Sequence, residues 1–132
     1  MTESDRLIAA AIAARDNAYA PYSRFQVGAA VRGVSGTVYT GCNVENAAYP
    51  EGLCAEANAL GAMVLAGEHR AMEIAVAGGG EGLCTPCGGC RQKIREFAAD
   101  TVPILVCGPE GLRRRFTLGE LLPEAFGPDN LT

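Results

Sequence analysis

Two stretches, Cys54-Ala55-Glu56 and Pro86-Cys87-Gly88-Gly89-Cys90, decide how the rest of this 132-residue chain is read. They bring three thiols and, two residues beyond the first, a carboxylate. Zn²⁺ takes thiolate ligands in tetrahedral geometry, and a catalytic site keeps three protein ligands and leaves the fourth position open to water. Cys54, Cys87 and Cys90 are the candidate ligands, with Glu56 as an acid/base group beside them. A lone C-x-x-C would be weak evidence. Two cysteine stretches in this order, with Glu56 and Pro86 both present, are specific. Glu56 also has a plainer reading, an acid complementing the dipole at a helix N-terminus; three neighbouring thiols favour the chemical one.

Outward from the first stretch, Cys54 to Ala66 consists of good helix formers, and Gly67 is a natural stop. The segment is apolar almost all round, so it predicts a helix buried on several sides, with Glu56 poorly hydrated in its first turn. Around the second stretch, Thr85 is a candidate cap with Pro86 at the first helical position, which puts Cys87 and Cys90 one turn apart on one face. Ile94 and Phe97 continue that buried face, and Lys93, Arg95 and Glu96 read as solvated. Near the N-terminus, Leu7, Ala11, Ala14 and Ala18 recur at helical spacing up to a break before Pro21. Phe25, Val27, Ala29 and Val31 alternate with more polar or smaller residues, predicting a half-buried strand. Ser35-Gly36 then turns into a second strand, Thr37 to Val44.

Asn43-Val44-Glu45-Asn46 leaves that strand and runs toward the thiols. It reads either as a solvated loop or as an amide and a carboxylate able to bond a substrate hydroxyl. Met72 to Ala77 and Ile104 to Cys107 are apolar runs expected of buried strands, and Thr117-Leu118-Gly119-Glu120 is a capping box for a brief helix ended by Pro123. Strands interleaved with helices predict an α/β domain with a mixed sheet of about five strands. One chain of this length fits a single domain, residues 1–132, burying roughly two-thirds of its unfolded surface.

Almost half the residues are apolar, without a run of membrane-spanning length, and the net charge is −4. That charge argues against a broad footprint for nucleic acid or an anionic membrane. Glu3 and Asp5 stand where a secretory signal would be basic, so a cytoplasmic protein is expected. In a reducing compartment the six cysteines read as ligands and small core residues rather than as disulfides.

The zinc deaminases carry the signature H-x-E…P-C-x-x-C, with cysteine allowed for the histidine and the glutamate not a ligand. Cys54-x-Glu56…Pro86-Cys87-x-x-Cys90 is its all-cysteine form. The chain resembles the small, homotetrameric, zinc-dependent cytidine deaminases over nearly its whole length. The likeness runs through Pro21-Tyr22-Ser23-Arg24-Phe25-Gln26-Val27-Gly28-Ala29-Ala30 and Gly41-Cys42-Asn43-Val44-Glu45-Asn46-Ala47-Ala48-Tyr49-Pro50. It continues in both cysteine stretches, with Arg91-Gln92 after the second, and in Leu121-Leu122-Pro123-Glu124-Ala125-Phe126.

The resemblance implies a three-layer α-β-α cytidine-deaminase-like fold and one Zn²⁺ per chain held by Cys54, Cys87 and Cys90. It implies hydrolytic deamination of cytidine and deoxycytidine to uridine and deoxyuridine with release of ammonia, a pyrimidine-salvage reaction in which zinc-held hydroxide attacks C4 and Glu56 shuttles protons. It implies that Asn43 and Glu45 bind the ribose hydroxyls, that Phe25 packs against the pyrimidine, that Tyr49 contacts substrate, and that Phe126 enters a neighbouring subunit's site within a homotetramer. One departure stands out. The family often follows Cys-Ala-Glu with an arginine that neutralises thiolate charge, and here the residue is Ala57. Three thiolates leave Zn²⁺ with a formal charge of −1, so helix N-termini and Arg91, expected to donate to a thiolate, would carry more of the balance.

Other residues have plainer readings. Cys84, Cys87 and Cys90 make a C-x-x-C-x-x-C run, but the next ligand position of an iron–sulfur motif falls at Ile94. Cys84 is either a bystander or a competitor for zinc. Cys42 and Cys107 read as core residues, His69 as solvent-facing, and Arg113-Arg114-Arg115 as a basic edge that blunts self-association.

Overall fold

Thr2 opens helix α1 (Glu3–Arg15) through a reciprocal capping box with Asp5. The computed structural model describes residues 1–132. Strands β1 (Gly28–Gly33) and β2 (Val38–Cys42) form the hairpin, followed by helix α2 (Ala55–Leu65) and strand β3 (Ala71–Ala77). Helix α3 (Gly88–Phe97), strands β4 (Pro103–Gly108) and β5 (Gly111–Thr117) and the short helix α4 (Leu118–Leu121) complete the chain. The sheet has five strands in the order β2-β1-β3-β4-β5, with β3 and β4 parallel and the other neighbours antiparallel. The expected mixed α/β sheet is present.

Helices cover both faces. On one, Leu7 and Ala11 of α1 pack on Ala30, Ala75, Leu105 and Cys107. On the other, Ala59, Leu60 and Met63 of α2 and Ile94 of α3 pack on Val31, Ile74, Val76, Ile104 and Val106. Each large aliphatic side chain buried this way contributes about 1.5–3 kcal/mol. The three-layer arrangement corrects the expectation for the first strand. Ala29, Ala30 and Val31 are all fully buried, because α1 lies on one side of β1 and α2 on the other. Phe25 and Val27 precede the strand instead of belonging to it, α1 stops at Arg15, and β2 ends at Cys42.

Two more expectations change. In the single chain, α2 is buried along one side only, leaving Val64 and Leu65 exposed. Arg95 is mostly covered, with carboxylates of Asp100 and Asp129 at 3.8 and 3.9 Å. Gly41 in β2 lets α2 sit directly on the sheet: a Cβ there would lie 2.5 Å from the Ala59 nitrogen and 2.6 Å from the Ala55 carbonyl oxygen.

Glu68, just past α2, accepts the Ser35 N–H at 3.0 Å, the Ser35 hydroxyl at 2.7 Å and the Tyr39 hydroxyl, fastening the hairpin to the end of α2. These donors, Tyr39 first, hold its carboxyl below the usual range. A carboxyl depressed in the folded state stabilises above its unfolded pKa, and that contribution is lost as pH falls through the folded value. Glu68→Gln is therefore expected to lower Tm at neutral pH, with the gap from wild type closing toward about pH 3. Thermal melts across that range test it; a gap independent of pH would contradict the assignment.

Candidate active site

Strand direction explains why distant residues meet. Gly28, at the start of β1, pairs with Cys42 at the end of β2 and with Ala77 at the end of β3. Residues 19–27, 43–54 and 78–87 therefore all lie at the same end of the strands, and α2 and α3 begin there. Cys54 and Cys87 are the N-cap residues of these helices, and neither thiol caps its own helix. Cys90 follows in the first turn of α3, fully buried. The predicted start of α3 is corrected: Thr85 and Pro86 lie ahead of the helix, which begins at Gly88.

The three sulfurs lie within 4.8 Å of one another, and no fourth histidine, cysteine, aspartate or glutamate joins them. Cys54 and Cys87 Sγ are 3.9 Å apart; tetrahedral Zn–S bonds of about 2.3 Å require about 3.8 Å. The donor set fits a divalent cation of the zinc type. Without a cation, burial pushes the Cys54 and Cys90 thiols up. At Cys87 burial acts the same way, but hydrogen bonds from the Cys90 backbone and the neighbouring thiols outweigh it and hold the group below its usual value. A bound cation reverses this logic by deprotonating its thiols outright. The partial positive charge of two helix N-termini converges on the same point.

Arg91 does not supply the charge expected of it. Its Nε donates to the Pro86 carbonyl at 2.7 Å, Nη1 to the Leu121 carbonyl at 2.8 Å and Nη2 to the Thr85 hydroxyl at 3.1 Å. The guanidinium clamps the loop ahead of Cys87 to the end of α4 and reaches no sulfur. Arg91→Ala is expected to destabilise the protein by about 2–3 kcal/mol, as for charge-assisted hydrogen bonds, and to speed zinc release by loosening the loop ahead of Cys87. Lysine, a point charge, will not substitute for the planar fork. Melts and zinc-release rates check this; unchanged zinc release in Arg91→Ala would refute it.

Glu56 is 5% exposed in the first turn of α2, and burial pushes its carboxyl up. It lines a cavity of about 160 Å³ together with Cys54, Cys87, Val27, Asn43 and Cys84. Cys84 stands in the wall, outside the sulfur cluster, its thiol pushed up to about 11 by burial. Gly78 leaves room for this wall: a Cβ there would fall 2.7 Å from Cys84 Sγ and 3.3 Å from the Phe25 ring. Phe25 itself does not line the cavity; its ring packs near Gly78, beside Cys84.

Asn43 donates from Nδ2 to the Phe25 carbonyl and accepts the Val27 N–H at Oδ1, each at 2.9 Å. Glu45 lines a second cavity of about 340 Å³ with Tyr22, Ser23, Asn46, Tyr49 and Gly52. The rings of Tyr22 and Tyr49, both lining it, are 6.0 Å apart. Phe126 borders neither cavity; it is exposed, with its carbonyl held by Gln92 Nε2 at 2.8 Å. Two site residues escape a reading of the sequence. Ser23 bonds Glu45, and Asn58 ties α2 to the Cys42 carbonyl at 2.8 Å. Ser23 lies in the stretch from Pro21 to Ala30 that carries the family likeness, but nothing in that stretch names Glu45 as its partner.

Residues 1–106 match the cytidine and deoxycytidylate deaminase zinc-binding region. The chain belongs to the cytidine deaminase family. A cytidine deaminase from Sporosarcina psychrophila is 41% identical over 128 residues, spanning 97% of this chain and 94% of the relative. The solved cytidine deaminase from Burkholderia pseudomallei superposes with a TM-score of 0.89 at 45% identity, covering 96% of this chain and all of that one. The Mycobacterium tuberculosis cytidine deaminase structure gives 0.82 at 40% identity, over 96% and 99%. Membership in the cytidine deaminase family makes the chain an enzyme of the hydrolytic deaminase type.

Proposed function

We propose that this chain hydrolyses cytidine and deoxycytidine to uridine and deoxyuridine, releasing ammonia. The observation that carries the proposal is a buried carboxylate, Glu56, opening into one small cavity with Cys54 and Cys87 of a three-sulfur cluster that fits a metal. Zn²⁺ held by Cys54, Cys87 and Cys90 would supply the Lewis acid that makes water nucleophilic near neutral pH. The chain's own residues do the rest. Glu56 takes the proton of the attacking water, passes one to ring N3 and delivers one to the amine leaving C4, so that water and cytidine become uridine and ammonia. A carboxyl raised by burial suits both halves of that shuttle.

Phe25 flanks the pyrimidine, and Asn43 and Glu45 bind sugar hydroxyls. Glu45 already accepts three donors, from Tyr22 N, Ser23 N and the Ser23 hydroxyl. A carboxylate has about four acceptor positions, so one remains for a hydroxyl. Tyr49 contacts the substrate. Residues 1–132 form one catalytic unit that works in the cytoplasm, with Phe126 reaching a neighbouring subunit's site in a homotetramer.

Two alternatives carry less. A deaminase of nucleic-acid bases would want a basic, aromatic-lined groove, and the chain is acidic. A purely structural zinc would be closed by a fourth protein ligand, and the cluster has three. Ultraviolet monitoring of cytidine, deoxycytidine and CMP with purified protein tests the proposal. Turnover of both nucleosides supports it, and failure to deaminate either rejects it.

A further inference from the structure

We propose that Ser23 is a positioning residue that couples recognition of the sugar, at Glu45, to the placement of Phe25 beside the base; the inference rests on the nucleoside deaminase reading above. The Ser23 hydroxyl donates its single proton to Glu45 Oε2, while its N–H and that of Tyr22 reach Glu45 Oε1 at 3.1 and 2.9 Å. With its proton committed there, the same oxygen accepts the Phe25 N–H at 3.0 Å. A serine hydroxyl has one donor and two acceptor positions, so both bonds form together.

At its other end, the Phe25 peptide is held by Asn43 Nδ2, which donates to the Phe25 carbonyl at 2.9 Å. The backbone on either side of the Phe25 side chain is therefore fixed by the two groups assigned to the sugar, directly by Asn43 and through Ser23 by Glu45. Between them Arg24 sits at φ +62°, a left-handed conformation uncommon for a residue with a Cβ. The Arg24 N–H to the Ala20 carbonyl at 3.0 Å and the Ser23–Phe25 bond hold it there. Glu45 is drawn below the usual carboxylate range, chiefly by the Ser23 hydroxyl against a smaller opposing effect of burial. It therefore meets a sugar hydroxyl as an oriented anion. Loss of the Ser23 hydroxyl frees Glu45 Oε2 to rotate and leaves Phe25 without its N-terminal tether.

The test compares Ser23→Ala and Ser23→Thr on cytidine and on 2′,3′-dideoxycytidine, whose sugar gives Glu45 no ring hydroxyl to accept. Wild-type turnover of cytidine is measured first; its absence would sink the nucleoside reading itself and is separate from the Ser23 result. With wild type active, Ser23→Ala is expected to raise KM for cytidine about ten-fold, in line with loss of a hydrogen bond to a charged group. Its kcat should stay within about three-fold, and KM for the dideoxy analogue should rise by a clearly smaller factor, because that substrate feels only the loss of the Phe25 tether. Ser23→Thr, which keeps the hydroxyl, should restore cytidine KM. An unchanged cytidine KM in Ser23→Ala overturns the proposal, as does an equal rise for both substrates, which is what general loop damage would produce. Should Ser23→Ala fail to fold, Ser23→Cys retains the shape with a weak donor and is read by the same criteria.

Discussion

Glu56→Gln protein is expected to fold, to retain zinc and to deaminate cytidine about 10²–10⁴-fold more slowly in kcat. Glutamine matches the shape of the carboxylate and can still hydrogen-bond, but it cannot receive a proton from water or return one to N3 and the leaving amine. The loss should fall on kcat, with KM little changed, because Glu56 acts on atoms that change protonation during the reaction. Stability should move the other way. A carboxyl whose folded pKa is raised by burial destabilises the protein while ionised, at pH above that folded value. In the metal-free protein, where burial alone raises the carboxyl, removing the charge should leave Tm at neutral pH unchanged or higher. Ultraviolet turnover assays, a zinc determination and, after chelation, a melt on one preparation check all three. A Glu56→Gln enzyme at wild-type rate would remove the proton shuttle from the mechanism.

Loss of the metal should be as costly, and visible in a different measurement. Cys90→Ser alters a fully buried thiol of the sulfur cluster and is expected to abolish turnover and stoichiometric zinc. A ligand that binds only the folded state, at a thousand times its Kd, stabilises by on the order of 4 kcal/mol. For a chain of this size that corresponds to a fall in Tm of about 10–20 °C when the wild type is chelated or Cys90 is replaced. Because thiols bind metal as thiolates, zinc uptake should release protons and weaken as pH falls. Calorimetry in buffers of different ionisation enthalpy counts those protons. Activity persisting after complete zinc removal would refute the assignment.

Legibility in the sequence followed the range of the interaction. The sulfurs and Glu56 could be found because each half of the cluster is a local pattern, three or four residues long. The helix starts were misplaced for a related reason: Thr85 and Pro86 look like a cap, but Cys87 takes the cap position where α3 begins. The first strand misled because alanines reveal little about which face is buried. Only the tertiary structure shows α1 and α2 on opposite sides of Ala29 and Ala30. Arg91 was misread because adjacency to Cys90 suggested a sulfur partner, while the side chain spans to Leu121, thirty positions away. Ser23 was invisible for the same reason, its partner Glu45 lying twenty-two positions on.

The contact beneath α2 bears on how such an enzyme can be engineered. Replacing glycine by alanine is a routine way to stiffen the unfolded chain and raise a melting point, and Gly41 would tempt that choice. A methyl group there meets backbone at Ala55 and Ala59, on the helix that carries Glu56 and follows Cys54, while Cys87 and Cys90 ride on α3. The extra carbon would act as a shim under one jaw of a vice, spreading the sulfur triangle from below. Displacements of about 1 Å can cost a hundred-fold in rate, so residue 41 governs the gap between the jaws without touching anything they hold.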